Sequence, residues 1–234
     1  MKKIAILQSN YIPWKGYFDI INYVDEFIIY DSMQYTRRDW RNRNIIKTAN
    51  GPLWLTIPVD TKGKYLQKIN ETRVSDHTWA KKHWDTIRMT YAKAPFFNDY
   101  KDVFEDLYSK AEKKELLSNI NYMFLSSLCE MLGIKTKLTI DTDYEAHGKK
   151  TERLVSLVQS AGGDFYLSGP AAKDYIVNEL FDEAGIELQY MDYSGYPEYK
   201  QLYGDFLGTV SVLELLFMTG SDAPSYMKSF RSEI

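Results

Sequence analysis

A single cysteine, Cys129, stands among the 234 residues, so no internal disulfide framework holds this chain together. It lies among Leu125, Leu128, Met131 and Leu132 at helical spacing, which predicts a buried, inert thiol. Histidine is scarce as well, with three in all. His77 and His83 fall on different faces of one expected helix, and no Cys or carboxylate spacing completes a metal-ligand set, so no metal site is expected. His147, in a loop, reads as polar surface. Excess charge of one sign is missing: 29 Lys+Arg against 32 Asp+Glu leave a net charge of -3. That argues against a nucleic-acid partner held by bulk charge, while leaving room for a local anion pocket. No apolar run reaches membrane-spanning length, and the opening Met-Lys-Lys-Ile lacks a long apolar core and a cleavage site, so the expected location is the cytoplasm. Walker and Rossmann glycine spacings and Gly-x-Ser-x-Gly are absent, which leaves nucleotide hydrolysis and triad hydrolysis unsupported.

What the chain does have is aromatic side chains, 15% of the total. Many fall near polar turns: Tyr11, Trp14, Tyr17, Tyr35, Trp40, Trp54, Tyr175, Tyr196, Tyr199 and Tyr203. Aromatic faces pack against sugar rings and bases, and a phenol supplies a directed hydrogen bond. Core filling accounts for most of them, leaving a minority for a pocket.

The richest stretch is the first. The apolar run Lys3 to Leu7 reads as a buried parallel strand and enters the polar turn Gln8-Ser9-Asn10-Tyr11-Ile12-Pro13-Trp14-Lys15-Gly16. Pro13 ends any ladder, and Gly16 permits close backbone approach. Apolar residues at 17, 18, 20, 21 and 24 predict a helix, and Glu26 to Tyr30 a second strand ending on Asp31. Ligands of such units bind at strand carboxyl ends, where Gln8, Asn10, Asp31 and Gln34 lie. Next comes a polar segment bearing Arg37, Arg38, Arg41, Arg43 and Lys47, with Asp39 its sole acid. Several guanidinium groups on one loop suit bidentate binding of phosphate or carboxylate. Asn50-Gly51 predicts a hairpin over Lys47 to Val59. Helices are predicted from Asp76 to Lys93, Asn98 to Lys113 and Glu115 to Leu132, then a strand from Thr136 to Ile140 and a helix from Gly148 to Ala161. A second strand–turn–helix follows, with Ser168 and Gly169 in its turn and Lys173 and Tyr175 beyond. Ile186 to Met191 closes as a strand and Val210 to Met218 as a helix. The expected fold class is α/β: a Rossmann-like, mostly parallel sheet from residues 1–75 and 134–234, with 76–133 as a helical insertion in a single compact unit.

The motifs Gln8…Tyr11-x-Pro13-Trp14-x-Gly16-Tyr17-Phe18, Asp25-x-Phe27-x-x-Tyr30-Asp31-x-x-Gln34-Tyr35, Arg41-Asn42-Arg43-Asn44 and Trp54-Leu55-Thr56-x-Pro58 resemble the WbqC-like family. So do Tyr166-Leu167-Ser168-Gly169, Tyr175, Tyr199-x-Gln201 and the closing Ser211 to Gly220. The resemblance spans nearly the whole chain; one departure is Ser9, where Pro is expected after the Gln. It implies a role in bacterial O-antigen and surface-polysaccharide biosynthesis, in making or decorating an unusual sugar. A weaker resemblance is to the adenylyl-transfer superfamily, whose His-x-Gly-His motif is replaced here by Trp14-Lys15-Gly16-Tyr17, with only the glycine kept. It makes ATP a candidate cofactor while removing the histidines that hold nucleotide phosphates. Together these readings give an expected function: a transferase or ATP-dependent amide-forming enzyme that acylates or aminoacylates the amine of a nucleotide-linked amino sugar. Asp31, Gln8 and Asn10 are the expected catalytic residues, with Asp31 taking the proton. Tyr11, Trp14, Gly16, Tyr17, Gln34, Arg37, Arg41, Arg43, Asn44, Ser168, Gly169, Lys173 and Tyr175 are expected to bind substrate and phosphate. The alternative is a non-catalytic sugar-nucleotide binding or assembly-partner protein. Sugar, donor and oligomeric state stay open.

Overall fold

The computed structural model describes residues 1–231. Residues 232–234, which the expected core included, lie outside the described residues. In chain order the elements are β1 (Lys3–Leu7), α1 (Lys15–Tyr23), β2 (Glu26–Ile29), β3 (Arg43–Thr48), β4 (Gly51–Thr56), α2 (Trp79–Tyr91), α3 (Phe97–Glu112), α4 (Leu117–Met131), β5 (Lys137–Ile140), α5 (Thr151–Ser160), β6 (Phe165–Ser168), α6 (Glu179–Glu183), β7 (Glu187–Tyr190) and α7 (Val212–Thr219).

Five strands form one sheet in the order β5-β2-β1-β6-β7, and all four neighbouring pairs are parallel. The fold is α/β and Rossmann-like, with the first strand central. Strands buried on both faces need apolar side chains throughout, which is why β2 and β6 are buried at every position. Glu26 and Ser168 are the polar exceptions; Glu26, the charged one, is 1% exposed and is held by Lys2, Lys137, Thr139 and Tyr144. The β3–β4 hairpin is separate and antiparallel, pairing Arg43 with Thr56 through Thr48 with Gly51. Its first strand takes in Arg43 to Lys47, a run whose apolar character reads as a strand in the sequence, so the pairing starts four residues ahead of the hairpin bounds expected from Asn50-Gly51.

Helices α2, α3 and α4 join the same hydrophobic core as α1, β2 and α7. Their anchor is Tyr11, fully buried, whose ring meets Trp79 at 5.8 Å and Phe124 at 5.6 Å. Its hydroxyl lies 3.0 Å from His83 Nδ1 and 2.7 Å from the Tyr108 hydroxyl. On the opposite face α5 and α6 build a second core with Ile4, Ile6, Ile28, Tyr30 and Tyr166. Helix starts shift slightly from expectation for local reasons. Asp76 accepts from Thr78 N and Oγ1 at 2.9 and 2.7 Å ahead of α2, so helical geometry begins only at Trp79. Gly148 and Lys150 have φ of 76° and 51°, which delays α5 to Thr151.

Candidate functional site

Because the sheet is parallel, the carboxyl ends of β2, β1 and β6 lie along one edge. A cleft of about 820 Å³ opens there. Gln8, Asn10, Trp14 and Tyr17 come to it from the β1 turn and α1, Ser168, Gly169 and Tyr175 from the turn after β6, and Arg41 from the basic loop. Tyr193, from the irregular segment after β7, and Lys150, at the start of α5, complete the wall. Among the described residues that line it there is no Asp or Glu, while Arg41 and Lys150 are cations. Aromatic rings supply much of the rest: Trp14, Tyr17, Tyr30, Tyr166, Tyr175 and Tyr193.

The turn after β1 is fixed from several sides. Tyr17 OH donates to Gln8 O at 2.8 Å. Arg41 Nη1 donates to Gln8 O at 3.3 Å and to Asn10 Oδ1. Asn44 Nδ2 donates to Tyr11 O and Ile12 O, both at 3.0 Å. Ile12 sits at φ 37°, a strained value for a β-branched residue that these contacts hold in place. Arg41 keeps capacity in reserve. Its Nε is buried without a hydrogen-bond partner, and its Nη2 faces Asp39 only at 3.7 Å. A half-engaged guanidinium at the wall of an acid-free cleft is equipped to take an anion.

Asp31 belongs to a neighbouring cavity of about 340 Å³ on the β5 side, lined also by Asn70, Ser118, Asn119, Tyr122, Asp141 and Asp143. It is 4% exposed. Its carboxylate accepts from Ser9 N at 2.9 Å, Ser9 Oγ at 2.7 Å and Ser118 Oγ at 2.5 Å. Burial raises its pKa; the bonds from Ser118 and Ser9 and the Arg41 charge pull the other way. A proline at position 9 could not donate the N–H that Asp31 accepts from Ser9. Asn121 Nδ2 ties the arrangement to α4, donating to Ser9 Oγ and to Arg41 O at 2.9 Å each.

The structure thus brings Gln8, Asn10, Trp14, Tyr17, Arg41, Ser168, Gly169 and Tyr175 to one cleft and places Asp31 beside it. Other expected site residues lie elsewhere. Tyr11 is a core residue. Gln34 Nε2 donates to Tyr65 O and Arg37 Nη2 to Thr61 O, both at 2.8 Å on the surface. Arg43 donates to Arg38 O and lies 4.1 Å over the Trp54 ring. Lys173 sits over Tyr190 at 5.3 Å. Gly16 supports Trp14, whose indole folds against it, and Asn44 braces the turn. Lys150, Tyr193, Ser118 and Asn121 were not anticipated. Among the described residues no group of three or more His, Cys, Asp or Glu is placed to hold a metal, and no helix is long and apolar enough to cross a membrane. Cys129 is buried and its thiol is pushed up to about 12 by desolvation.

Comparison with known proteins adds three findings. The model of the WbqC-like protein family matches residues 8–226. A Mycobacterium tuberculosis (strain H37Rv) protein described as "Uncharacterized protein Rv1507c" is 49% identical over 231 residues, covering 99% of this chain and 100% of that one. No solved structure matches.

Proposed function

Since the chain belongs to the WbqC-like protein family, with its suggested place in polysaccharide-associated biosynthesis, we propose that it binds a nucleotide-linked amino sugar in the large cleft and acylates or aminoacylates the amine. The observation that carries this reading is the composition of the cleft wall: six aromatic rings, Arg41 and Lys150, and, among the described residues, no carboxylate. A diphosphate seeks cations without competing acids, and a base and a ribose find flat apolar faces. Beside it, the cavity containing Asp31, Asp141 and Asp143 has no Lys or Arg in its wall and suits the sugar's amine. In this reading Asp31, its pKa raised by burial, accepts the proton released as the amine attacks an acyl carbon. The carbon–nitrogen bond forms as the donor's leaving group departs with its electron pair; the donor is left open, with ATP a candidate for activating it.

A second reading rests on the hydrogen bonds to Asp31. A carboxylate that already accepts three is well suited to fix the turn at Ser9, as it would in a protein that binds a sugar nucleotide without transforming it. Incubation with a panel of nucleotide-linked amino sugars, with and without ATP and amino acids, followed by mass spectrometry, separates the two. A mass gain on the sugar nucleotide supports the enzyme. Binding by calorimetry with no mass gain across the panel favours the binding protein, and absence of binding ends both readings.

A further inference from the structure

We propose that the small cavity beside Trp40 is a subsite for a neutral saccharide ring, separate from the ligand of the main cleft. This cavity, of about 180 Å³, is lined by Asn10, Pro13, Trp14, Trp40, Asn44 and Thr209, none of them ionisable. It shares Asn10 and Trp14 with the cleft and no residue with the acid-lined cavity. A ligand there abuts whatever the cleft holds, while the amine of the cleft's own sugar is assigned to the Asp31 side. The chemistry of the lining matches a pyranose: an aromatic face for the ring's C–H surface, with amide and hydroxyl groups for its hydroxyls.

The platform is built and held. Trp40 is 39% exposed and Trp54 42%, and their rings lie 5.3 Å apart at 35°. The Arg43 guanidinium packs 4.1 Å from the Trp54 ring centre, which steadies the pair. The Trp40 backbone is fixed at both ends, its N–H donating to Asp39 Oδ1 at 2.7 Å and its carbonyl accepting from Tyr11 N at 3.1 Å. Of the two rings Trp40 lines the cavity and Trp54 backs it; a ring braced in this way yet open to water, next to a cleft, loses little conformational freedom when a saccharide stacks on it. Polar direction comes from Asn10, whose oxygen is turned to Arg41 so that its amide nitrogen is left to donate, and from the Thr209 hydroxyl.

The test uses the full chain, neutral methyl glycosides and short neutral oligosaccharides, followed by saturation-transfer NMR and calorimetry, with and without a saturating nucleoside-diphosphate sugar. Glycosides are expected to bind the wild type and to remain bound when the cleft is filled. Trp40→Ala should weaken glycoside binding about tenfold, Thr209→Val should weaken it less, and neither should change nucleoside-diphosphate affinity, since neither side chain lines the cleft; Trp40→Ala also gives up its packing on Trp54, so a wild-type far-UV spectrum serves as the check that the fold is kept. No glycoside binding, displacement by the cleft ligand, or unchanged affinity in Trp40→Ala overturns the proposal. If Trp40→Ala instead weakens a nucleotide sugar but not the nucleoside diphosphate alone, and glycosides do not bind, the pocket belongs to the nucleotide-linked sugar and the separate subsite is wrong. Glycoside binding without any nucleotide-sugar binding leaves this site standing and ends the proposed function.

Discussion

Arg41 and Asp31 do opposite things with their hydrogen-bonding capacity. Arg41 spends one amino group on the β1 turn and leaves Nε unpartnered. Replacing it by Ala should weaken nucleotide-sugar binding by about 1.5–3 kcal/mol, the scale of a bond to a charged group, and Lys should restore charge without the fork. Calorimetry that finds both variants equal to wild type removes Arg41 from the ligand. Asp31 has committed its carboxylate to Ser9 and Ser118 in a buried place. Asp31→Asn exchanges an acceptor oxygen for a donor, so either the Ser9 N–H, which donates to Oδ1, loses its acceptor or the Ser9 and Ser118 hydroxyls, which both donate to Oδ2, must turn to accept, at a cost of about 1–3 kcal/mol in stability. If Asp31 is the proton acceptor, turnover should also fall by about 10²–10⁴-fold while ligand affinity holds. A variant that loses stability but keeps its rate identifies Asp31 as the clamp of the β1 turn alone.

Helix α1 and the turn that feeds it form the element on which the cleft depends. A Cβ at Gly16 would lie 2.3 Å from the Trp14 indole, which folds back over the helix and meets Tyr193 at 5.0 Å and Tyr196 at 5.6 Å. Gly16→Ala gains up to about 1 kcal/mol of helix propensity yet must push Trp14 out of the wall. The expected outcome is an intact far-UV spectrum, an altered near-UV aromatic spectrum and weaker ligand binding; unchanged binding would separate Trp14 from the site. This element was legible in the sequence because its signals are local: an apolar run, a proline, a glycine and helical spacing within about two dozen residues. The partners that complete the site were not. Ser118 reaches Asp31 and Asn121 reaches Ser9 from α4 across separations of 87 and 112 residues, and no periodicity encodes such meetings. Lys150 joins the cleft from the turn just ahead of α5, where it takes a φ of 51° two residues after Gly148, and nothing in its own residue type announces that conformation. Tyr11 misled in the other direction: an aromatic residue in a polar turn read as pocket, but helices α2 and α4 close over it and make it core. Arg37 and Arg43 shared a loop with Arg41, yet a loop this long points its side chains in several directions, and only Arg41 lines the cleft.

Across the whole molecule, buried ionisable groups set how stability responds to pH, and two of them oppose each other. Glu214, at the start of α7, is 1% exposed, and among the described residues neither carboxylate oxygen has a hydrogen bond of normal geometry, the Tyr91 hydroxyl being the polar group that faces it. Burial raises it to about 7, against the pull of the Lys47 charge and the Tyr91 hydroxyl. The folded state therefore holds this proton where the unfolded chain, with an ordinary pKa near 4.5, has released it, and stability is lost as pH rises from there to 7. His83, 7% exposed beside Tyr11, is lowered by burial to about 4 from 6.5. Between those values the unfolded chain binds a proton that the folded one refuses, so stability rises with pH. The two slopes cancel between about pH 4.5 and 6.5, leaving the wild type's denaturation midpoint there to the fall with rising pH that Asp31 adds, its pKa also raised by burial. Below that window, stability falls further as Glu26 is protonated: burial alone would raise its pKa, but Lys2, Tyr144, Lys137 and Thr139 hold it at about 2. Glu214→Gln deletes one slope only. The variant should gain about 3 kcal/mol over wild type at pH 8 and show stability that climbs by about as much from pH 4 to 6.5. Urea denaturation of both proteins across this range checks the point: parallel pH profiles would mean that Glu214 is ionised in the fold and that Lys47 supports it there.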